Sequence, residues 1–302
     1  MWRSARGQAS PEWLGLVVLV SLAFTAAVAS GVSIPGLGLV RAVAQKLVCA
    51  AGLGDGCGGS GSDLIFAYGP ELASMVAEHA PQLDYEEGMR AVPVDFRSCR
   101  DDACAEGADS GPVSASLAGE PVTLFSHVID CRDPEAAGGE GYDCSGGRAG
   151  RVYLQFWAYY PGSQTSRALF GAKGFHPDDW ESFSVRIGEA AEARASSHHG
   201  YNGAGADPVN DTGILGGKSA WAESSGHYLI SGGSHAGRVG GSERTAVRGP
   251  RWLSRGPWRW TRSGDVRIVP IESLRDRWGD YAFEVTPPWA KEVFRDPEWR
   301  GT

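Results

Sequence analysis

In "GFHPDDWESFSVRI", residues 174–187, four ionisable side chains crowd around one tryptophan: His176, Asp178, Asp179 and Glu181 flank Trp180. The segment runs into strand-like alternation, which puts Asp179 and Glu181 on one face and Trp180 on the other. Two carboxylates on one face repel each other unless a cation or a base neutralises them. His176, on the turn predicted to precede the strand, can swing toward that pair. One imidazole among carboxylate oxygens suits Mg²⁺, Ca²⁺ or Mn²⁺, with Zn²⁺ as a further candidate. The expected metal ligands are therefore His176, Asp179 and Glu181, with Asp178 in reserve. Taken alone, an acidic turn beside a tryptophan is more often solvated than metal-bearing.

Other residues can meet the same cavity. His198, His199 and Tyr201 lie in "SSHHGYN", and His235 lies in "GSHAG". Both segments are Gly-flanked loops, so these four are the candidate ligand-binding residues. Each alone reads as a surface loop or a tight turn. His127 and His227 sit in strand-like contexts and read as structural. Arg186 and Arg194 could neutralise carboxylates or phosphates, though a solvated face is their ordinary state. No G-x-S-x-G nucleophile motif is present, so an enzymatic reading rests only on a metal that activates water, with Asp178, His199 or His235 as base.

The elements that must position these residues read as mostly β. In "GRVYLQFWAYYPGS" both alternating faces are apolar, which predicts a central strand buried on both sides. "AVPVDF", "EPVTLFSHVIDC", "WESFSVRIG", "EARASS", "SAWAESSGHYLI", "DVRIVPIES" and "YAFEVTPPW" read as further strands, and "GPELASMVAEHAPQL" as a helix with Pro70 near its start. Many short strands, Gly-rich turns and few helices predict an antiparallel β-sandwich with short peripheral helices. The 302 residues suffice for a sizeable core, and the net charge of −8 runs against a nucleic-acid partner.

All six cysteines precede residue 145 in three short-range pairs, none of them C-x-x-C. Disulfides in an oxidising compartment are the expected state, and proximity favours Cys49–Cys57, Cys99–Cys104 and Cys131–Cys144. The N-terminus agrees on the compartment. Arg3 and Arg6 precede an apolar run from about Trp13 to Gly31, close to the ~20 residues a helix needs to cross a bilayer. The expected domains are a signal or transmembrane helix over 1–32, a Gly-rich juxtamembrane linker over 33–63, and an extracytoplasmic body over 64–302.

Two resemblances sharpen this reading. Gly7, followed five residues later by Glu12 at the head of the apolar run, resembles the class III signal of type IV prepilins, particularly the short Flp and TadE-like pilins. It implies cleavage after Gly7 and a pilus or secretion machinery as partner. A plain uncleaved anchor, or a secretory peptide cut after Ala27-Val28-Ala29, are the rivals. All three place the body outside the cytoplasm, on a single-pass cell-membrane protein.

The second resemblance covers roughly residues 90 to 285. H-x-x-D-W-E, met by His176, Asp179, Trp180 and Glu181, resembles the core of the heptad of the necrosis- and ethylene-inducing peptide-like proteins. It is also similar to the vacuolar-protein-sorting-associated family numbered sixty-two. "VYLQFWAYYPGS", "SSHHGYN" and "GSHAG" follow those families in order. The toxin family implies a two-sheet sandwich whose heptad holds a divalent cation in a cavity that binds sphingolipid sugar headgroups. The further carboxylate those toxins supply falls here near Ser163, where no aspartate stands. Phe175, Pro177 and Asp178 also depart from the heptad, so cytolysis is not implied.

The sequence thus points to a membrane-tethered, more binding than enzymatic module with a divalent cation, taking a glycan or lipid headgroup. A metal-assisted hydrolase and a minor pilin-like subunit are the alternatives.

Overall fold

The computed structural model describes residues 60–86, 89–108, 111–164, 175–197, 200–202, 221–230, 235–240, 258–260 and 265–299. Residues 59–302 form one compact unit. The expected N-terminal span, Gly7, Glu12, Cys49 and Cys57, and the loop histidines His198 and His199, lie outside the described residues. Among the described residues no helix is long and apolar enough to cross a membrane.

The unit opens with α1 (Ser60–His79), which contains Pro70 and breaks its helical geometry at Gly69, with φ 77° and ψ 166°. Glycine takes that left-handed backbone at little steric cost, so the residue before the proline is where the helix bends. Strands β1 (Gln82–Glu86), β8 (His227–Ile230), β9 (Gly237–Val239) and β10 (Trp258–Trp260) form a small sheet in the order β10-β1-β8-β9. Strands β2 (Thr123–Asp130), β3 (Val152–Gln164), β4 (Phe175–Ile187), β5 (Ala191–Ser197), β6 (Gly200–Asn202) and β11 (Arg267–Pro270) form a larger one in the order β11-β2-β3-β4-β5-β6, with β7 (Ala222–Glu223) paired to β5.

The mostly-β expectation holds, with a correction to strand direction. β1 pairs parallel with β8, and β11 parallel with β2, so both sheets are mixed rather than purely antiparallel. Two local expectations also change. "AVPVDF" forms only an isolated bridge from Ala91 to Glu106, and Val94 donates its amide to the Tyr159 carbonyl. "YAFEVTPPW" is irregular chain leading into a 3₁₀ turn at Pro288–Ala290.

β3 is the buried central strand that its sequence implies, with Val152 to Ser163 all buried. Its antiparallel register with β4 runs from Val152↔Ile187 to Gln164↔Phe175. On one side, Phe183 meets Tyr228 of the small sheet, ring centroids 5.4 Å apart. On the other, Trp180, Tyr159 and Phe125 join an aromatic cluster around Phe96, which also takes in Phe283 and Trp289. Such pairs add roughly 0.5–1.5 kcal/mol each beyond the area they bury. Trp180 therefore anchors β4 in the core and fixes which way its neighbours Asp179 and Glu181 face.

The C-terminal segment lies on the Trp157 side of the sheet. Gln155 donates Nε2 to the Val293 carbonyl at 2.7 Å, and His127 stacks on Phe294 with centroids 3.6 Å apart. His127, fully buried, also bonds through Nδ1 to Glu272, which accepts from Tyr68 of α1. Its role is structural, as its strand context implies. Two disulfides, Cys99–Cys104 and Cys131–Cys144, pair as expected from proximity.

Candidate functional site

β4 is longer than its sequence suggests. It begins at Phe175, so His176 is a strand residue and not part of a preceding turn. Antiparallel pairing sets Asp179 opposite Tyr160, Trp180 opposite Tyr159, and Glu181 opposite Ala158. Residues directly opposite in such a pair share a face. Asp179, Glu181 and Tyr160 thus look toward the small sheet, and Trp180 and Tyr159 look away.

His235 joins this group from the segment before β9. Its Nδ1 lies 2.8 Å from Asp179 Oδ2, and its ring stacks on Tyr160 with centroids 3.9 Å apart. A carboxylate only accepts, so the proton sits on Nδ1 and Asp179 fixes the tautomer. The cross-strand pair Tyr160 and Asp179 therefore holds the imidazole by its face and by its edge. All three are buried, at 0%, 6% and 4% exposure for Tyr160, Asp179 and His235.

Two non-glycine residues among those described have φ in the left-handed region, Asp178 at 54° and His235 at 53°. Such backbone costs on the order of 1–3 kcal/mol and persists where surrounding contacts over-determine it. His235 belongs to this site, and Asp178 precedes Asp179 in β4 with its carboxylate bonded to Tyr159 on the other side. The contacts responsible are visible for Asp178, which accepts from Arg100 at 2.8 Å, from the Tyr159 hydroxyl at 2.6 Å, and from the Glu284 amide at 2.8 Å.

Glu181 accepts from the Ser196 hydroxyl, and the same Ser196 oxygen takes the Ser182 amide at 2.6 Å where the β4–β5 ladder ends. Lys291, from the C-terminal segment, donates Nζ to the Trp180 carbonyl at 3.2 Å, beside the Trp157 ring. Burial pulls its amine below the ordinary lysine range, while the charges of Glu181 and Asp179 pull the other way. Tyr160 has a buried hydroxyl with no hydrogen-bond partner among the described residues. Burial first, then Tyr228, Tyr85, Asp179 and Glu181, push its phenol well above the usual range.

The expected ligand set does not assemble. Asp179 and Glu181 share a face as alternation implies, but the His176 Nδ1 turns to backbone carbonyls, 3.2 Å from Asp178 O and 3.3 Å from Pro177 O. Asp178 accepts instead from Arg100, Tyr159 and the Glu284 amide. Among the described residues no group of three His, Cys, Asp or Glu side chains is placed to hold a metal. A divalent cation asks for several converging oxygen or imidazole donors, and these residues, each turned to a protein partner, do not fit one as arranged.

Of the expected ligand-binding residues, His235 joins the carboxylates. Tyr201 is buried with its ring on Arg194, 4.8 Å from the guanidinium. Arg194 is itself fully buried, and burial lowers its pKa to about 10. It is not on a solvated face but clasps the C-terminal segment through Pro297 O at 2.6 Å. Arg186 pairs with Glu192 and Glu298, and His227 with Asp84. Sequence reasoning missed Tyr160, Ser196, Lys291 and Arg100. Tyr160 had a signal, as the polar-tipped aromatic opposite Asp179, once the register was known.

Among solved structures the chain is similar to toxin folds. "Toxin fold for microbial attack and plant defense" shares 16% identity at a TM-score of 0.36, covering 74% of this chain and 86% of that one. NLPPya in complex with mannosamine shares 16% at a TM-score of 0.34, covering 74% and 89%. Necrosis and Ethylene inducing Protein 2 from the causal agent of cocoa's Witches Broom disease shares 17% at 0.32, covering 75% and 88%. No family model and no curated protein matches the chain.

Proposed function

We propose that the body is an extracytoplasmic binding module whose Asp179–Glu181 site takes a hydroxyl-bearing ligand, a glycan or polar headgroup. One observation carries this. Two carboxylates on one strand face lie beside a buried tyrosine hydroxyl, Tyr160 Oη, that has no hydrogen-bond partner among the described residues. Buried polar groups normally find partners, and an unpaired one marks where a ligand or water group belongs. Carboxylates accept from hydroxyls, a phenol both donates and accepts, and the His235–Tyr160 stack adds a rigid wall.

The two cystines suit an oxidising compartment. The apolar N-terminal run serves as the tether, with Gly7 and Glu12 as its processing signal. No nucleophile motif supports a hydrolase, so binding is the better reading.

The test is a glycan and headgroup array probed with the full chain, its disulfides formed, with mannosamine and glucosamine among the first ligands. Selective binding that Asp179→Asn weakens tenfold or more, about 1.4 kcal/mol, supports the reading. Binding that is absent, or unchanged by the substitution, overturns it.

A further inference from the structure

We infer that Arg194 and Ser184 hold a small inorganic anion of the halide class beneath the C-terminal segment, on the face of the large sheet opposite Asp179 and Glu181. The inference does not rest on the reading of that other face. Alternation along β4 turns Phe183 to the small sheet, where it meets Tyr228, and so turns Ser184 the other way. The register sets Ser184 between Gln155 of β3 and Arg194 of β5. Both are buried, Arg194 at 0% and Ser184 at 3% exposure. Three donors of this cross-strand pair have no hydrogen-bond partner among the described residues: Arg194 Nε, Arg194 Nη1 and Ser184 Oγ.

The fold fixes the guanidinium and leaves its charge unanswered. Nη2 donates to the Pro297 carbonyl at 2.6 Å, and the Trp221 and Tyr201 rings lie 4.5 and 4.8 Å from the guanidinium carbon. Those rings attract the cation through its face, whereas Nε and Nη1 donate in its plane. Burial brings the pKa down only to about 10, so the group stays charged at neutral pH. Glu298 and Asp296 are the carboxylates whose charge reaches it. Glu298 is taken by Arg186, Tyr153 and Trp221, and Asp296 by Arg148. Gln155, on the other side of Ser184, spends one end on the Val293 carbonyl and the other on the Trp157 indole. Buried charges are paired in folded proteins, and buried donors without a protein acceptor mark a water or an ion. Water satisfies a donor but cancels no charge; an anion does both. Because the pair lies sealed under the C-terminal segment, a compact ion suits it.

The test uses the full chain, disulfides formed, dialysed into sodium gluconate. Chloride then replaces gluconate at constant ionic strength. Melting temperature is read for wild type, Ser184→Ala and Arg194→Lys, and binding is read directly from the chloride NMR linewidth. The wild type is expected to broaden the chloride line and to gain roughly 3–5 °C for each tenfold rise in chloride above its dissociation constant. Ser184→Ala is expected to move the onset of that rise at least tenfold higher. Arg194→Lys, which keeps the charge and loses the planar fork, is expected to do the same. Without an anion, Ser184→Ala would only remove an unpaired hydroxyl, and would be neutral or stabilising in both salts. A wild-type melting temperature and linewidth indifferent to chloride overturn the inference. So does an onset shared by wild type and Ser184→Ala. If Arg194→Lys does not melt cooperatively, Ser184→Ala and the wild-type linewidth decide. None of these readings depends on the array result, so the two claims fail separately.

Discussion

His235 reaches across from the segment before β9 and donates its Nδ1 proton to Asp179 Oδ2 at 2.8 Å, with its ring laid on Tyr160. This contact ties the "GSHAG" motif of the small sheet to the "DWE" motif of the large one, 56 residues apart. Removing either partner strands the other in a buried place. Asp179→Ala is expected to destabilise the protein by about 1–3 kcal/mol, the usual cost of an unpaired buried donor. Urea unfolding followed by tryptophan fluorescence measures it.

The second glycine of "GSHAG", Gly237, is explained by packing. A Cβ on Gly237 would meet the Tyr228 ring at 2.1 Å. Gly237→Ala therefore has to displace a fully buried tyrosine that packs on Phe183. An overpacking cost of about 1–3 kcal/mol follows, read as a lower melting temperature. Gly226→Ala is not a control here, because its φ of 71° is strained for alanine. Gly147→Ala, with open space at its Cβ and no left-handed φ, is expected to change little.

Trp180 is the anchor that sets the strand's facing. Trp180→Ala opens a cavity among Phe96, Phe125, Tyr159 and Phe283 and is expected to cost about 3–5 kcal/mol. Trp180→Phe should keep most of the stability and the binding. Denaturation midpoints for the pair separate loss of packing from loss of the aromatic ring.

Asp95 and Glu298 are expected to contribute to acid sensitivity. Burial raises the Asp95 carboxyl, but Arg97 and Arg267 outweigh it and hold the group below its ordinary value. Glu298 likewise overcomes its burial through bonds from Trp221, Arg186 and Tyr153. Groups depressed on folding contribute stability that is present above the unfolded pKa, ~4 for these types, and lost as pH falls through the lower folded value. Stability is therefore expected to decline below about pH 4. Glu298→Gln should flatten part of that decline, measured as melting temperature against pH.

Much of the site's local geometry was legible in the sequence. Two-fold alternation correctly put Asp179 and Glu181 together and Trp180 apart, because Trp180 really is buried in a core on the opposite face. The two-sided apolar pattern of β3 was equally plain. The parallel pairings of β1 with β8 and β11 with β2 were not legible, since pairing partner and direction are long-range facts that four- or five-residue strands do not encode. "AVPVDF" misled because Val92 and Val94 alternate as a strand does, yet the segment is pinned by single bonds to Tyr159 and Thr123. The histidine nearest the acids in sequence, His176, turned away, and the one 56 residues from Asp179 came in. Lys291 had no local signal at all; only the fold of the C-terminal segment brings it behind β4.

The measurement closest to the central claim is a calorimetric titration of the best array ligand into wild type, Asp179→Asn and Glu181→Gln. The account predicts saturable one-site binding by the wild type and at least tenfold weaker binding by each variant, with all three folded. Equal affinity for all three proteins would place the ligand elsewhere and contradict the assignment of this face.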